Sequence, residues 1–259
     1  MKHIRILGLC LAVAFVMGAV VATSASAEAP EFGRCIKTAK KGGGKFSSAK
    51  CTVEKAGGSY EWTPGVVKGK FTTTIKEGTL LTLETVGKTK LTCTGETSTG
   101  EFVGTKSERG TIVTLTGCEA FGMPYESAGQ TEGTIVTNEL EGELGIEKKA
   151  KSALYNKVGI LLRPRVPEEA IFVISCVLGP HDPGTVIGSV IDPLTTNNMQ
   201  RIATDTFRAS KGKQKPEHFE GEPNRILETS FGEGPYEQTG LTVTMTQDNE
   251  EDVEINSVV

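Results

Sequence analysis

Apolar and polar residues alternate with a period of two along much of the chain. The alternation is clearest over residues 241–246, where Leu241, Val243 and Met245 are separated by threonines. Successive side chains of a β-strand point to opposite faces of the sheet, so this pattern predicts a strand with one buried face. β-Branched residues, which strands favour, are abundant in these segments. The same pattern recurs at residues 71–75, 81–86, 112–116 and 253–255.

Glycines separate the predicted strands at short intervals, as at Gly87, Gly95 and Gly104. Short strands divided by turn residues are typical of antiparallel sheets, and helical periodicity is nearly absent. We therefore predict an all-β fold, either an antiparallel β-sandwich or an irregular β-barrel. It is expected to form one disulfide-containing domain over residues 28–259, with residues 28–46 as a flexible N-terminal segment.

The first 27 residues predict export. Lys2 and Arg5 form a short basic start, residues 6–22 are almost continuously apolar, and Ala25 and Ala27 are the small residues that a signal peptidase requires. No second apolar run of the sequence approaches the ~20 residues that a membrane span needs. We expect residues 1–27 to be a cleavable signal peptide. The mature protein is then secreted and extracellular, free or loosely associated with the cell surface, without a membrane span.

The charge of the chain excludes one class of partner. It carries 28 Lys and Arg against 32 Asp and Glu, a net charge of −4, and removal of the signal peptide makes it more acidic. A nucleic-acid-binding protein needs a basic footprint, so we expect no nucleic-acid partner. No cofactor is expected either. Gly87-Lys88-Thr89 resembles the end of a phosphate-binding loop, but Thr82 replaces the required earlier glycine.

The mature chain has five cysteines, which outside the cytoplasm predict disulfides rather than metal ligands. Cys35 and Cys51 enclose a glycine- and lysine-rich loop, and closing it would stabilise the fold by about 3 kcal/mol. We predict that this pair is bridged. Cys93 and Cys176 lie on strand-like segments and are predicted to form a second bridge. Cys118 is then left as a buried free thiol rather than a reactive one.

Three carboxylates are the candidates for hydrolytic chemistry. Glu139, Glu141 and Glu143 alternate with Leu140 and other residues, so on a strand they share one face. Two carboxylates at a suitable separation are sufficient for glycan cleavage. The favoured interpretation is nevertheless a solvated strand face, with the leucines buried beneath it.

Nucleophilic and metal chemistry have weaker support. Ser98 lies between two glycines, but not in the Gly-x-Ser-x-Gly pattern of a nucleophile elbow. His181 and His218 lack the spacing of zinc ligands and are interpreted as surface residues. We therefore assign no catalytic, cofactor-binding or metal-binding residue.

Two further segments suggest binding. Tyr60 and Trp62 would share one strand face and could stack on a sugar, although burial against the core is favoured. The acidic residues 248–252 could attract calcium, but they lack the glycine and ligand spacing of an EF-hand loop. An acidic hairpin turn between Thr246 and Val253 is the simpler interpretation.

Several phrases of the sequence resemble a group of exported bacterial proteins. These phrases are PEFGRC (30–35), YEWTPG (60–65), LTCTGE (91–96), ASKGKQKP (209–216) and EQTGL (237–241). The resemblance implies a β-rich exported protein from a family with many paralogues and no assigned function. It also implies a further cysteine in relatives shortly after the one matching Cys118, where this chain has Tyr125. It transfers no catalytic residue.

These observations favour a non-enzymatic extracellular binding or structural module, with a cell-envelope or extracellular glycan as the partner class to test. The alternatives are a secreted carboxylate-dependent glycan hydrolase and a calcium-dependent adhesion-like protein. Whether the protein is an enzyme stays open at this level.

Overall fold

The computed structural model describes residues 30–176 and 183–258, so the predicted signal peptide and His181 lie outside the described residues. Within them the chain forms 21 strands and one 3-10 helix, Ala153–Tyr155. The strands are β1 (Glu31–Lys37), β2 (Gly44–Phe46), β3 (Glu54–Gly58), β4 (Tyr60–Pro64), β5 (Lys70–Ile75), β6 (Leu81–Thr85), β7 (Lys90–Cys93), β8 (Gly95–Val103), β9 (Ser107–Thr116), β10 (Glu119–Ala120), β11 (Met123–Glu126), β12 (Ile135–Val136), β13 (Leu140–Lys148), β14 (Lys157–Pro164), β15 (Phe172–Cys176), β16 (Gly184–Gly188), β17 (Val190–Leu194), β18 (Gln200–Ser210), β19 (Lys213–Lys215), β20 (Leu227–Phe231) and β21 (Glu237–Asn256).

Eight of these strands close into a barrel, here called the main barrel. Around the barrel their order is β5, β8, β9, β13, β14, β17, β18 and β21, and seven of the eight neighbouring pairs are antiparallel ladders. Residue contacts between β17 and β18 complete the circuit. The prediction of an all-β, disulfide-containing fold is confirmed, and of the two architectures left open the structure has the barrel.

A second circuit of antiparallel strands, here called the second ring, adjoins the main barrel. Its order is β6, β7, β10, β11, β15, β16, β20 and β21. The 20-residue strand β21 belongs to both, because residues 239–242 pair with β6 and residues 245–249 pair with β5. Likewise β7 continues into β8, and β16 into β17, after a single residue. The two circuits therefore share a continuous hydrophobic core.

The period-two pattern of the sequence decides which side chains face this core. Leu241, Val243 and Met245 of β21 line the interior, as their alternation with threonine predicted. The same alternation operates in β17, where Val190 and Leu194 point inward. Strands β1 to β4 form a smaller sheet outside the main barrel, and β1 pairs with the C-terminal end of β21.

The disulfide pattern confirms one predicted bridge and corrects the other. Cys35 and Cys51 are bonded as predicted. The predicted Cys93–Cys176 bridge is wrong, because Cys93 is bonded to Cys118 and Cys176 is the buried free cysteine. The reason is the β8–β9 hairpin, in which the first residue of β8 pairs with the last residue of β9. Cys93 and Cys118 flank that pair and lie 4.0 Å apart between Cα atoms.

Two other segments differ from the sequence interpretation. Residues 31–37 and 44–46, part of the segment predicted to be flexible, lie in β1 and β2, and Phe32 is buried. Residues 248–252 lie in the middle of β21 rather than in a hairpin turn, so that interpretation is wrong. An acidic run can lie in a strand when its side chains find partners, as Asp248 and Glu251 do on Arg201 and Arg34.

Candidate functional site

The interior of the main barrel contains a cavity of about 140 Å³ that extends to residues of the second ring, among them Leu83 and Phe172. Eight-stranded barrels have interiors just wide enough to be filled by side chains or to hold one small ligand. A cavity of about this size, cut into a protein core, holds one benzene molecule. Most of the lining is apolar, including Phe32, Phe71, Phe102, Ile160, Val190 and Val243.

Four carboxyl groups also line this cavity, one from each of four strands. They are Glu96 of β8, Glu108 of β9, Asp192 of β17 and Asp205 of β18, and all four side chains are buried. Among the described residues that line the cavity there is no Lys, Arg or His. The interior of an otherwise apolar barrel therefore carries acidic groups without a basic partner, which is costly unless something compensates them.

Local backbone structure explains how these acids come to face inward. Asp192 is in phase with its apolar neighbours Val190 and Leu194, so strand alternation places it inside. Glu108 depends on an irregularity in the β8–β9 pairing near Gly110, whose φ is +65°. A bulge of this kind shifts the alternation by one residue, so Glu108 and Thr111 both face the cavity.

Hydrogen bonds satisfy only part of this acidic lining. The Thr73 hydroxyl donates to Glu96 Oε1 at 2.7 Å and shares a 2.7 Å hydrogen bond with Ser98. The Thr111 hydroxyl donates to Glu108 Oε1 at 3.2 Å. Within the described part of the chain, Glu96 Oε2 and Asp192 Oδ1 are buried without a hydrogen-bond partner. Two acceptors facing the cavity are thus left for a donor from elsewhere.

The electrostatic consequence is a set of carboxyls that resist ionisation. Burial raises the pKa of Glu108 to about 7, and repulsion from Asp205 adds to this effect. Burial also raises the pKa of Asp205 to about 6 and that of Glu96 above its ordinary value. The pKa of Asp192 lies well above its ordinary range because of burial first, and then because Asp205, Glu108 and Glu147 repel its charge. Glu108, Asp192 and Asp205 therefore form one coupled group, here called the acidic trio.

Aromatic rings lie next to the acidic trio. Phe102 is the direct cross-strand partner of Glu108, so the two side chains share the inner face. Its ring centroid lies 4.6 Å from that of Phe32 and 4.9 Å from that of Phe71. One end of the cavity thus combines acidic groups with aromatic surface.

The carboxylates proposed from the sequence lie elsewhere, on the outer surface. Glu139 forms an ion pair with Arg165 at 2.9 Å, and Glu141 forms one with Arg163 at 2.9 Å. Glu143 is exposed. Leu140 and Leu144 are buried beneath them, as the interpretation of a solvated strand face predicted.

The other sequence candidates are not brought together. Ser98 faces the cavity, where it is hydrogen-bonded to Thr73. His218 is exposed on an outer groove. Tyr60 and Trp62 pack, half-buried, against the Cys35–Cys51 region, and the Trp62 indole donates a hydrogen bond to Glu31.

No group of three or more His, Cys, Asp or Glu side chains is arranged to hold a metal ion in the part of the chain that the structure describes. Within residues 30–176 and 183–258, no helix has the length and apolar character needed to cross a membrane. Comparison with known proteins found no matching protein family, no matching curated protein and no matching solved structure.

Proposed function

We propose that this protein is a secreted, non-enzymatic binding protein that holds one small, largely apolar molecule inside its main barrel. The observation that carries the proposal is the 140 Å³ cavity lined by apolar side chains and by buried carboxyl oxygens without partners. An apolar pocket with a few convergent polar groups and perturbed pKa values is the usual form of a ligand site.

The energetics of the empty barrel support this function. At about 24 cal/mol per Å³, a cavity of this volume costs about 3 kcal/mol of folding stability. The partnerless oxygens of Glu96 and Asp192 add to that cost. Filling the space with side chains would avoid both costs, so a retained cavity is best explained by a ligand that occupies it.

Secretion is supported by the signal-like first 27 residues and by the two disulfides. Disulfides persist mainly in oxidising, extracytoplasmic environments. A glycan hydrolase has less support. The cavity has room for about one ring, whereas glycan cleavage needs space on both sides of a glycosidic bond. In addition, the pKa values of all four interior carboxyls move in the same direction, so no acid and base are differentiated.

Thermal unfolding in the presence of toluene tests the proposal. A ligand at about ten times its Kd stabilises the folded state by about 1.4 kcal/mol, which corresponds to a rise of about 3–6 °C in Tm. We expect such a rise for the mature protein. Val113→Phe, which fills the cavity, should abolish it. Ile112→Phe changes the neighbouring, outward-facing residue and should preserve it. Equal toluene effects in both variants, or none in the unaltered protein, would overturn the proposal.

A further inference from the structure

The lining of the cavity constrains the chemistry of its ligand, if the proposed function holds. The charged side chains that face the cavity are all acidic among the described residues. The hydroxyls of Thr73 and Thr111 already donate to Glu96 and Glu108. Asp192 Oδ1 is buried and has no hydrogen-bond partner within the part of the chain that the structure describes. Among the described residues that line the cavity none is basic, and the one side-chain amide, that of Gln247, donates to Asn249. A ligand that supplies positive charge and N–H donors would therefore complete the site.

The aromatic rings beside the acidic trio favour the same ligand class. Phe102 lies opposite Glu108 in the β8–β9 ladder and contacts the rings of Phe32 and Phe71. A cation over the face of an aromatic ring is attracted by the negative face of the ring, more strongly when water is excluded. Apolar rings alone would accept any apolar molecule, but rings next to buried carboxylates distinguish a cation from a neutral molecule of the same shape.

A metal ion explains this lining less well than an organic cation does. The described residues contain no group of three or more ligating side chains suitable for a metal. Beyond the four carboxyls the lining is mostly hydrocarbon, and the hydroxyls of Thr73 and Thr111 already donate to Glu96 and Glu108. An organic ammonium ion uses both kinds of surface, because its charged head contacts carboxylates while its body contacts Val, Ile and Phe side chains.

We infer that the barrel binds a small primary amine in its ammonium form, with an apolar body of about one ring. The ammonium group donates hydrogen bonds to Asp192 and lies within the acidic trio, against Phe102. The apolar body extends along the cavity past Ile160 and Val243. This inference rests on the proposed function and specifies the ligand class of the same site.

Binding of such a cation is coupled to protons. The titratable groups that face the ammonium position are Glu108 on β9, Asp192 on β17 and Asp205 on β18, while Glu147 acts on Asp192 from β13. Glu96 on β8 is the remaining acid along the cavity. A cation favours their ionised forms, so amine binding near pH 6 releases protons and weakens as the pH falls. A neutral ligand of the same shape has neither effect.

Calorimetric titration with three probes of matched shape tests the inference. The probes are benzylamine, benzyl alcohol and benzoate, each measured at pH 8 and at pH 6 in two buffers of different ionisation enthalpy. A charge-assisted hydrogen bond contributes about 1.5–3 kcal/mol, so benzylamine should bind about ten- to a hundredfold more tightly than benzyl alcohol at pH 8. Proton release should accompany benzylamine binding at pH 6 and should not accompany benzyl alcohol binding. Benzoate should bind most weakly.

Variants identify the carboxyl responsible. Asp192→Asn should weaken benzylamine binding at least about tenfold and leave benzyl alcohol binding within about threefold. Asp205→Asn provides a second test if the first variant does not fold. Glu141→Gln, which removes an outer carboxylate paired with Arg163, should change neither affinity.

Equal affinity of benzylamine and benzyl alcohol, or tighter binding of benzoate, would overturn the inference and leave the proposed function standing. Absence of benzylamine binding would also overturn it, whereas the toluene measurement judges the proposed function separately. If both aspartate variants still bind benzylamine more tightly than benzyl alcohol, the cation lies elsewhere and the inference is overturned as well.

Discussion

The buried carboxyl of Glu108 predicts an unusual dependence of stability on pH. In the unfolded chain a glutamate titrates near its ordinary pKa of 4.5, whereas in the barrel burial raises its pKa to about 7. The folded state therefore binds the proton more tightly than the unfolded state. Stability contributed by the protonated group is fully present below pH 4.5, falls as the pH rises, and is lost above pH 7.

The magnitude follows from these two values. The folded and unfolded pKa values of Glu108 differ by about 2.5. At about 1.4 kcal/mol per pKa unit, this difference destabilises the folded protein by about 3 kcal/mol at pH 8. Glu108→Gln removes this cost and keeps the oxygen that accepts the Thr111 hydroxyl. We expect the variant to match the unaltered protein at pH 4 and to be more stable by about 3 kcal/mol at pH 8. For a chain of this length that corresponds to about 6–12 °C in Tm.

Calorimetric unfolding between pH 4 and pH 8, with disulfides intact and no ligand added, measures this difference. Glu141→Gln is the control, because the same change of side chain occurs on the outer surface in an ion pair with Arg163. The stability of this control should change with pH in the same way as that of the unaltered protein. A gain for Glu108→Gln that does not vary with pH, or a loss of stability at pH 8, would refute the reasoning. The second result would mean that the ionised carboxylate is compensated inside the barrel.

Three further predictions concern cysteine and glycine positions. Thiol labelling of denatured, unreduced protein should modify one described cysteine, Cys176, and peptide mapping that finds another labelled site would contradict the bonding pattern. Tyr125→Cys should form a third bridge, because position 125 lies directly opposite Cys176 in the β11–β15 ladder. The same labelling should then modify no described cysteine of this variant, and labelling of both Cys176 and the new thiol would contradict that register. Gly142→Ala should destabilise the protein by about 1–3 kcal/mol in urea unfolding, because the new Cβ would lie 2.5 Å from Glu108 Cγ; unchanged stability would show that the barrel wall can yield there.

The fold was largely predictable because its strands expose one face and bury the other. The alternation over residues 241–246 identified the inner face of β21, and the local loop between Cys35 and Cys51 identified one bridge. The second bridge was not predicted because it depends on register. Cys93 and Cys118 meet only because the intervening residues form the β8–β9 hairpin.

The candidate site was missed because its acids look like ordinary polar residues of exposed strand faces. The inward position of Asp192 was predictable from the sequence, because Asp192 alternates in step with the apolar residues Val190 and Leu194. The inward position of Glu108 was not predictable, because the bulge near Gly110 shifts the alternation. Only the β8–β9 pairing reveals this shift. The acidic trio brings Glu108 of β9 together with Asp192 and Asp205 of the much later strands β17 and β18, so no local motif could indicate it.

Isotope-filtered nuclear Overhauser spectroscopy on mature protein saturated with benzylamine tests the central claim most directly. The protons of the bound ring should give cross-peaks to the methyl groups of Val113, Ile160 and Val243, which line the cavity. Cross-peaks to Ile112 and Val173, which face outward, should be absent. Contacts confined to the outward-facing methyl groups, or no contacts at saturating probe, would contradict a ligand site inside the barrel.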